Sequence, residues 1–301
     1  MDEDAFGQLV GPLRGELHAH CYRMLGSDHD AEDAVQETLL RAWNAVDRFE
    51  ERGGVRPWLY KIATNRCLTL IERRGRQALP VGDAVSEALP EYRMDWTASL
   101  DPSERVVALE SVELAFVASL QQLSPLQREV LLLRDVLAFA AREVAELLDT
   151  TVAAVNSALQ RARQVVGNES TQQEVLATLG EDGQREVARR YMAAWEARDV
   201  DAIVAMLTDD AKYSMPPLPE LFIGRDGIRG FLLDGPLHDE WRFVPARANG
   251  QLAFATYRWV DGRFEPCGLD VVTLRGSEIA SVVSFLEADF AAYGLPSELS
   301  R

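Results

Sequence analysis

The stretch that most constrains this 301-residue chain is Ala140–Val165, AAREVAELLDTTVAAVNSALQRARQV. Its apolar residues form two short helical repeats, separated by Asp149-Thr150-Thr151. Val144, Leu147 and Leu148 belong to the first repeat, and Val152, Val155, Leu159 and Ala162 to the second, at three- and four-residue steps. Thr151 suits the N-cap of the second helix. The pattern predicts a helix-turn-helix, in which the first helix braces and the second lies in a DNA major groove. The second helix sets Thr151, Ala153, Ala154, Asn156, Ser157, Gln160, Arg161 and Arg163 on its other face. Small residues allow close approach to base edges, Asn and Gln suit adenine, and Arg suits guanine or phosphate. A surface helical hairpin has the same periodicity.

About 100 residues earlier, Asp30–Trp43 (DAEDAVQETLLRAW) reads as an amphipathic helix with an acidic and polar face. Ser27, Asp28 and Asp30 supply N-cap chemistry and first-turn acids. Pro57 then suits the first turn of a third helix over 58–74. Around it, 56–76 carries six basic residues against one acid, interleaved with Trp58, Tyr60 and Asn65. Rings for base stacking beside charges that follow a backbone suit single-stranded or melted DNA. The loop 49–55, with Gly53 and Gly54, offers a pocket for an unstacked base. Trp58, Leu59 and Ile62 also suit an ordinary helical core.

A formal charge of −17 looks wrong for a nucleic-acid binder until it is divided along the chain. Residues 169–301 hold 22 acidic against 13 basic residues, and 78–112 hold seven against two. The acid therefore sits outside the DNA-facing stretches, where local positive charge is what phosphate contacts need. Three widely spaced cysteines argue for reduced thiols rather than a disulfide framework. No apolar run is long enough to span a bilayer, and the acidic start lacks a secretory signal, so a cytoplasmic protein without membrane contact is expected. No GxxxxGK[ST] or GxGxxG loop occurs. His18, His20 and Cys21 do not share a helix face, so no metal site is expected.

Residues 76–103, with three prolines and no periodicity, read as a linker. After a polar stretch at 167–183, helical patterns at 184–198 and 200–206 give way to strand patterns at 253–260, 269–274 and 279–286. Helices first and strands after indicate a separate α+β domain.

With these motifs in this order, the chain resembles the extracytoplasmic-function (ECF) group of sigma-70-type RNA polymerase sigma factors. Residues 5–75 resemble region two, through DAEDAVQETLLRAW (30–43) and RPWLYKIATNRCLTLIERR (56–74). Residues 112–166 resemble region four, through LSPLQREVLLLRDVLAFAAREVAELLDTTVAAVNSALQRAR (123–163). The resemblance implies that Asp33, Gln36, Glu37, Leu40 and Trp43 dock on the clamp helices of the largest polymerase subunit. It implies that 49–74 recognises and melts the −10 element, with Arg56, Trp58, Lys61, Asn65, Arg66, Arg73 and Arg74 as contacts. It implies likewise that the helix 151–163 reads the −35 element and that the acidic linker threads through a polymerase channel. The chain departs from the group at Ala138-Phe139-Ala140-Ala141, where a bulkier, Gly- or Ser-containing stretch is more usual, so no promoter sequence carries over.

Residues 184–295 resemble the SnoaL-like branch of the NTF2/ketosteroid-isomerase fold, through YMAAWEARDVDAIVAMLTDDAKYSMPP (191–217) and IGRDGIRGFL (223–232). Such a cone encloses an apolar cavity, with Trp195, Tyr213, Met215, Trp259 and Phe285 as lining and Asp270 as a buried acid. A small-molecule ligand there is one expectation, and a protein-contact role that modulates the sigma domains is another.

The expected architecture is therefore multidomain. It has two all-α sigma domains, a region 2 helical bundle (1–76) and a region 4 helix-turn-helix (112–168), joined by an acidic linker (77–111). A second linker (169–183) leads to an α+β SnoaL/NTF2-like cone domain (184–301). The expected function is an alternative sigma factor that binds core RNA polymerase and promoter DNA. It needs no cofactor or metal and has no catalytic residue. The alternatives are a DNA-binding module fused to a SnoaL-like isomerase or hydrolase using Asp270, and a dimeric repressor that leaves the 30–43 motif without a role.

Overall fold

The computed structural model of the chain describes residues 2–49, 54–74, 85–166 and 171–301. These fall into two compact units. The described residues of 2–74 and 93–166 form the first, and 85–92 with 171–301 form the second.

The first unit is helical. Asp2 caps α1 (Glu3–Val10) by accepting from the Ala5 amide at 2.8 Å. Helix α2 (Arg14–Leu25) ends where Gly26 turns left-handed at φ 69°, and Ser27 at once caps α3 (Asp28–Ala45). With α4 (Val55–Arg74) these helices bury a shared core that includes Leu17, Cys21, Met24, Val35, Leu59 and Ala63.

The stretch expected to be a linker is not featureless. A 3-10 helix covers Glu91–Ser99, and α5 covers Pro102–Glu110 behind an Asp101 cap. Arg93 pairs with Glu32 at 2.7 Å and Asp28 at 3.2 Å. Trp96 lies so close to α2 that a Cβ on Gly15 would sit 2.5 Å from its ring. Apolar and charged side chains thus tie a segment without periodicity to the bundle.

Helices α6 (Leu114–Gln121), α7 (Pro125–Leu131), α8 (Ala141–Leu147) and α9 (Val152–Val166) complete the first unit. Ser124 and Gln127 form a reciprocal capping box at the start of α7. A wider helical turn, Leu132–Val136, follows α7, and Ala138 then takes φ 57°. The expected turn is present: Asp149 adopts φ 51°, and the Thr151 hydroxyl accepts from the Ala154 amide at 3.2 Å. Val155, Leu159 and Ala162 are buried as expected. Val152 is not; it sits in the first turn, beyond the packed face, and is 42% exposed.

The second unit is α+β. Helix α10 (Gln172–Glu196) begins earlier than expected, inside the stretch assigned to a linker, and kinks at Gly180, whose φ of 62° is left-handed. Helices α11 (Val200–Ala205) and α12 (Gly224–Asp234) complete the helical layer. The sheet has six strands: β1 (Leu207–Ser214), β2 (Leu221–Ile223), β3 (Trp241–Ala248), β4 (Gln251–Val260), β5 (Arg263–Arg275) and β6 (Glu278–Phe285). Their order is β2-β1-β6-β5-β4-β3, and only β1 and β6 run parallel. The three expected strands match β4, β5 and β6; the charged β1, the three-residue β2 and β3 escaped the pattern.

Residues 85–92 belong to this second unit. Leu89 and Asn249 exchange two hydrogen bonds: Leu89 N donates to Asn249 Oδ1 at 2.8 Å, and Asn249 N donates to Leu89 O at 2.9 Å. Pro90 bridges Ala248, and Tyr293 donates its hydroxyl to Ala88 O at 2.8 Å.

Candidate nucleic-acid interface

Helix α3 has one face inside and one outside. Ala31, Ala34, Val35, Thr38 and Ala42 are buried, and the Thr38 hydroxyl bonds back to Ala34 O. Asp33, Gln36, Leu40 and Trp43 recur on the other side at three- and four-residue steps and are exposed, with Glu37 half-exposed between them. Leu40 is 60% exposed, although it has the helical phase of an ordinary apolar residue. Trp43 meets Phe6 edge-on at 5.1 Å, and Glu37 pairs with Arg41 at 2.7 Å. An exposed Leu and Trp thus lie among acidic and polar side chains on one helix face.

Helix α4 carries its basic residues into two environments. Asn65 and Arg73 are exposed, and Arg66 is half-buried. Trp58 is half-buried against the Phe49 ring at 4.6 Å. Residues 50–53 of the proposed base pocket, and the Arg74 side chain, lie outside the described residues. Arg56 is fully engaged. Its guanidinium binds Glu16 at 2.7 Å, donates to Leu137 O at 3.4 Å and lies 4.9 Å from the Phe139 ring centroid. Tyr60 donates to the same Glu16 oxygen at 2.6 Å and meets Phe139 edge-on. Lys61 pairs with Asp149 at 3.1 Å. Thus Leu137, Phe139 and Asp149 of the region-four block rest on the helix read as the −10 element contact.

Helix α9 presents the expected face. Thr151, Ala153, Asn156, Ser157, Gln160 and Arg161 are exposed, and Ala154 is half-buried. Arg161 donates to the Ser157 hydroxyl at 2.8 Å. Arg163 is exposed but engaged, since it grips Asp135 through two bonds of 2.6 and 2.8 Å. Its geometry is that of a brace between α9 and the turn after α7.

Under these contacts lies a buried polar cluster that sequence patterns do not reveal. Glu129 of α7 has no exposed surface. Thr64 of α4 donates to its Oε1 at 2.7 Å, and His20 Nε2 of α2 lies 3.6 Å from the same oxygen. Burial pushes the Glu129 carboxyl up to about 8, against the smaller opposing effects of Thr64 and Arg128. Burial, with Arg23 and Arg56 nearby, pushes His20 down to about 3. The partners come from helices 44 to 109 residues apart, so only the fold unites them.

In the second unit, Trp195, Tyr213 and Asp270 point to the inner face under the helices, and Met215 packs beside them. Tyr191 donates to Asp270 Oδ2 at 2.7 Å and stacks on Phe254 at 4.7 Å. Burial raises the Asp270 carboxyl to about 6, partly offset by Ser284 and Tyr191. Two expected lining residues lie elsewhere. Phe285 pairs with Leu269 in the ladder, whereas Asp270 pairs with Ser284, so Phe285 projects from the opposite face. Trp259 packs on Phe264 at 4.9 Å, outside the core cluster that holds Tyr191. An open groove of about 310 Å³ in this unit lies between α10 and α11, lined by Arg189, Arg190, Ala193, Ala197, Ala202 and Met206, with Asp270 not among its walls.

Comparison with known proteins agrees with this anatomy. Residues 9–77 match the sigma-70 region 2 model, 113–165 the sigma-70 region 4 model and 188–286 the SnoaL-like domain model. The ECF RNA polymerase sigma factor SigG of Mycobacterium tuberculosis is 41% identical over 98% of this chain and 85% of its own length. The M. tuberculosis ECF sigma factor SigJ is 32% identical over 73% of this chain and 70% of its own. The crystal structure of SigJ superposes with a TM-score of 0.63, at 26% identity, covering 94% of this chain and 98% of that one.

Proposed function

This chain belongs to the extracytoplasmic-function RNA polymerase sigma factors, and from that premise we propose a resting form in which region four guards the DNA-contacting helix of region two. As a sigma factor, the chain binds core polymerase and directs promoter-specific initiation. The residue roles are our reading. Asp33, Gln36, Glu37, Leu40 and Trp43 dock on the polymerase. Arg56, Trp58, Lys61, Asn65, Arg66, Arg73 and Arg74 hold the −10 element. Thr151, Ala153, Ala154, Asn156, Ser157, Gln160 and Arg161 read the −35 element, with Arg163 as their brace. The protein works in the cytoplasm beside the polymerase.

One observation carries this reading. The α3 stripe is open to a partner, while Arg56 and Lys61 are held by Leu137, Phe139 and Asp149. The −10 and −35 elements lie about two and a half turns of DNA apart, on the order of 80 Å at about 34 Å per turn. A chain with α4 bonded to the turn before α9 cannot hold both, so engagement parts the two regions. Polymerase has access to its docking stripe first.

We read the second unit as a regulatory module without catalysis. It holds Leu89 and Pro90, in the segment that joins regions two and four, and so limits how far they part.

The test is a pull-down with bacterial core polymerase. Leu40→Asp should abolish capture with the fold intact, since Leu40 supports nothing in the core. Unchanged capture would refute the docking assignment.

A further inference from the structure

We propose that closing region four onto region two takes up a proton at Glu129, so that a fall in pH holds the factor in its resting form and a rise releases it. This rests on the resting-form reading above.

Glu129 is wholly buried where α7 meets α2 and α4. One of its oxygens faces the Thr64 hydroxyl and His20, and the other has no hydrogen-bond partner among the described residues. Of the neighbouring cations, Arg128 lowers the Glu129 carboxyl, by less than burial raises it. Arg128, on the same helix, bonds Leu120 O, Gln121 and Met24 O. Arg23, also buried, is lowered chiefly by that burial, against the smaller effects of Tyr60, Glu16 and Cys21, and it acts on His20 rather than on Glu129. Cys67 of α4 is a neutral thiol, held high by Cys21 and by burial. A carboxylate in this setting would be an unpaired buried charge, which the interface avoids by keeping the proton.

Parting the regions returns Glu129 to water and to an ordinary carboxyl range. The sign then follows from the protons bound in each form. Between about pH 8 and pH 6.5 the closed form carries the Glu129 proton and the open form does not, so the closed-to-open ratio rises up to about tenfold per unit of acidification. Below about 6.5 the opened His20 also binds a proton, which closing must expel. The two protons then cancel, and the response levels off.

The experiment uses the full chain with a donor and an acceptor fluorophore on bioorthogonal residues at the exposed Asn44 and Gln164, read from pH 6 to pH 8.5. It is repeated in an Asp149→Asn background, which weakens closure so that both populations are seen. Wild type should close by up to about tenfold per unit as the pH falls from 8 to 6.5. Glu129→Gln, equal in size and always neutral, should stay closed and lose that slope. A wild type that closes without a slope, or Glu129→Gln with the wild-type slope, would overturn the proton latch and leave the resting form standing. Regions apart at every pH would overturn the resting form itself, and the latch with it.

Discussion

Lys61 and Asp149, 88 residues apart, form an ion pair at 3.1 Å that joins the helix read as the −10 contact to the turn that opens the −35 helix. Both side chains keep substantial exposure, 41% and 81%, so the pair sets the register of the contact more than its strength. Removing the charge with Asp149→Asn should shift the closed-to-open ratio by about fivefold or less, equivalent to about 1 kcal/mol at most. Energy transfer between fluorophores in the two regions measures it, and a far larger shift would mean that closure rests on this pair alone.

Ala138, where the chain departs from the usual Gly- or Ser-containing stretch, adopts φ 57° before α8. An L-residue with a Cβ is strained there, and glycine is not. Ala138→Gly should raise the unfolding free energy of the first unit by up to about 1 kcal/mol, whereas Ala138→Val should lower it. Denaturant titration reads both, and a destabilised glycine variant would contradict the strain.

Asp270 shapes the pH response of the second unit. Its carboxyl titrates near 6 in the fold, against about 3.9 unfolded, so the folded state binds the extra proton. Its contribution to stability is therefore fully present below about pH 4 and is lost as the pH rises to about 6, by on the order of 3 kcal/mol in all. Asp270→Asn, which keeps an acceptor for Tyr191, should flatten that fall and raise stability at pH 8. Amide hydrogen exchange in β4, β5 and β6 across a urea series follows this unit, and a wild-type slope in the variant would assign the response to another group.

Arg161 and Arg163 should behave differently on DNA. Arg161 is exposed with only Ser157 as partner among the described residues, whereas Asp135 accepts two bonds from the Arg163 guanidinium. Arg161→Ala should lower the salt slope of −35 binding by about one if the side chain meets phosphate. Arg163→Ala should weaken binding with the slope unchanged. Fluorescence anisotropy across a salt series distinguishes them, and equal loss of slope would make Arg163 a contact as well.

The helical parts of this molecule were legible because periodicity and capping are local. Thr151 caps α9 where the turn residues put it, Val155, Leu159 and Ala162 face inward, and the stripe from Asp33 to Trp43 faces out. Val152 failed because periodicity says which side a residue is on, not how far the packed surface extends. Trp259 and Phe285 failed because strand faces depend on register. Asp270 pairs with Phe254 and Ser284, and that alignment excludes Phe285 from its side.

The amino-acid pattern by itself determined the order of the domains, the motif on each helix and the face each motif presents. Those features depend on neighbours within a few residues, where helix geometry repeats predictably. The tertiary structure alone decided what those faces meet: Glu16 gathering Arg56 and Tyr60, Phe139 under the same arginine, Glu129 closed against Thr64 and His20, and Leu89 paired with Asn249 in the second unit. These contacts span tens to more than a hundred residues. Their energy comes from burial and from matching polar groups, which exist only once the helices and strands have packed.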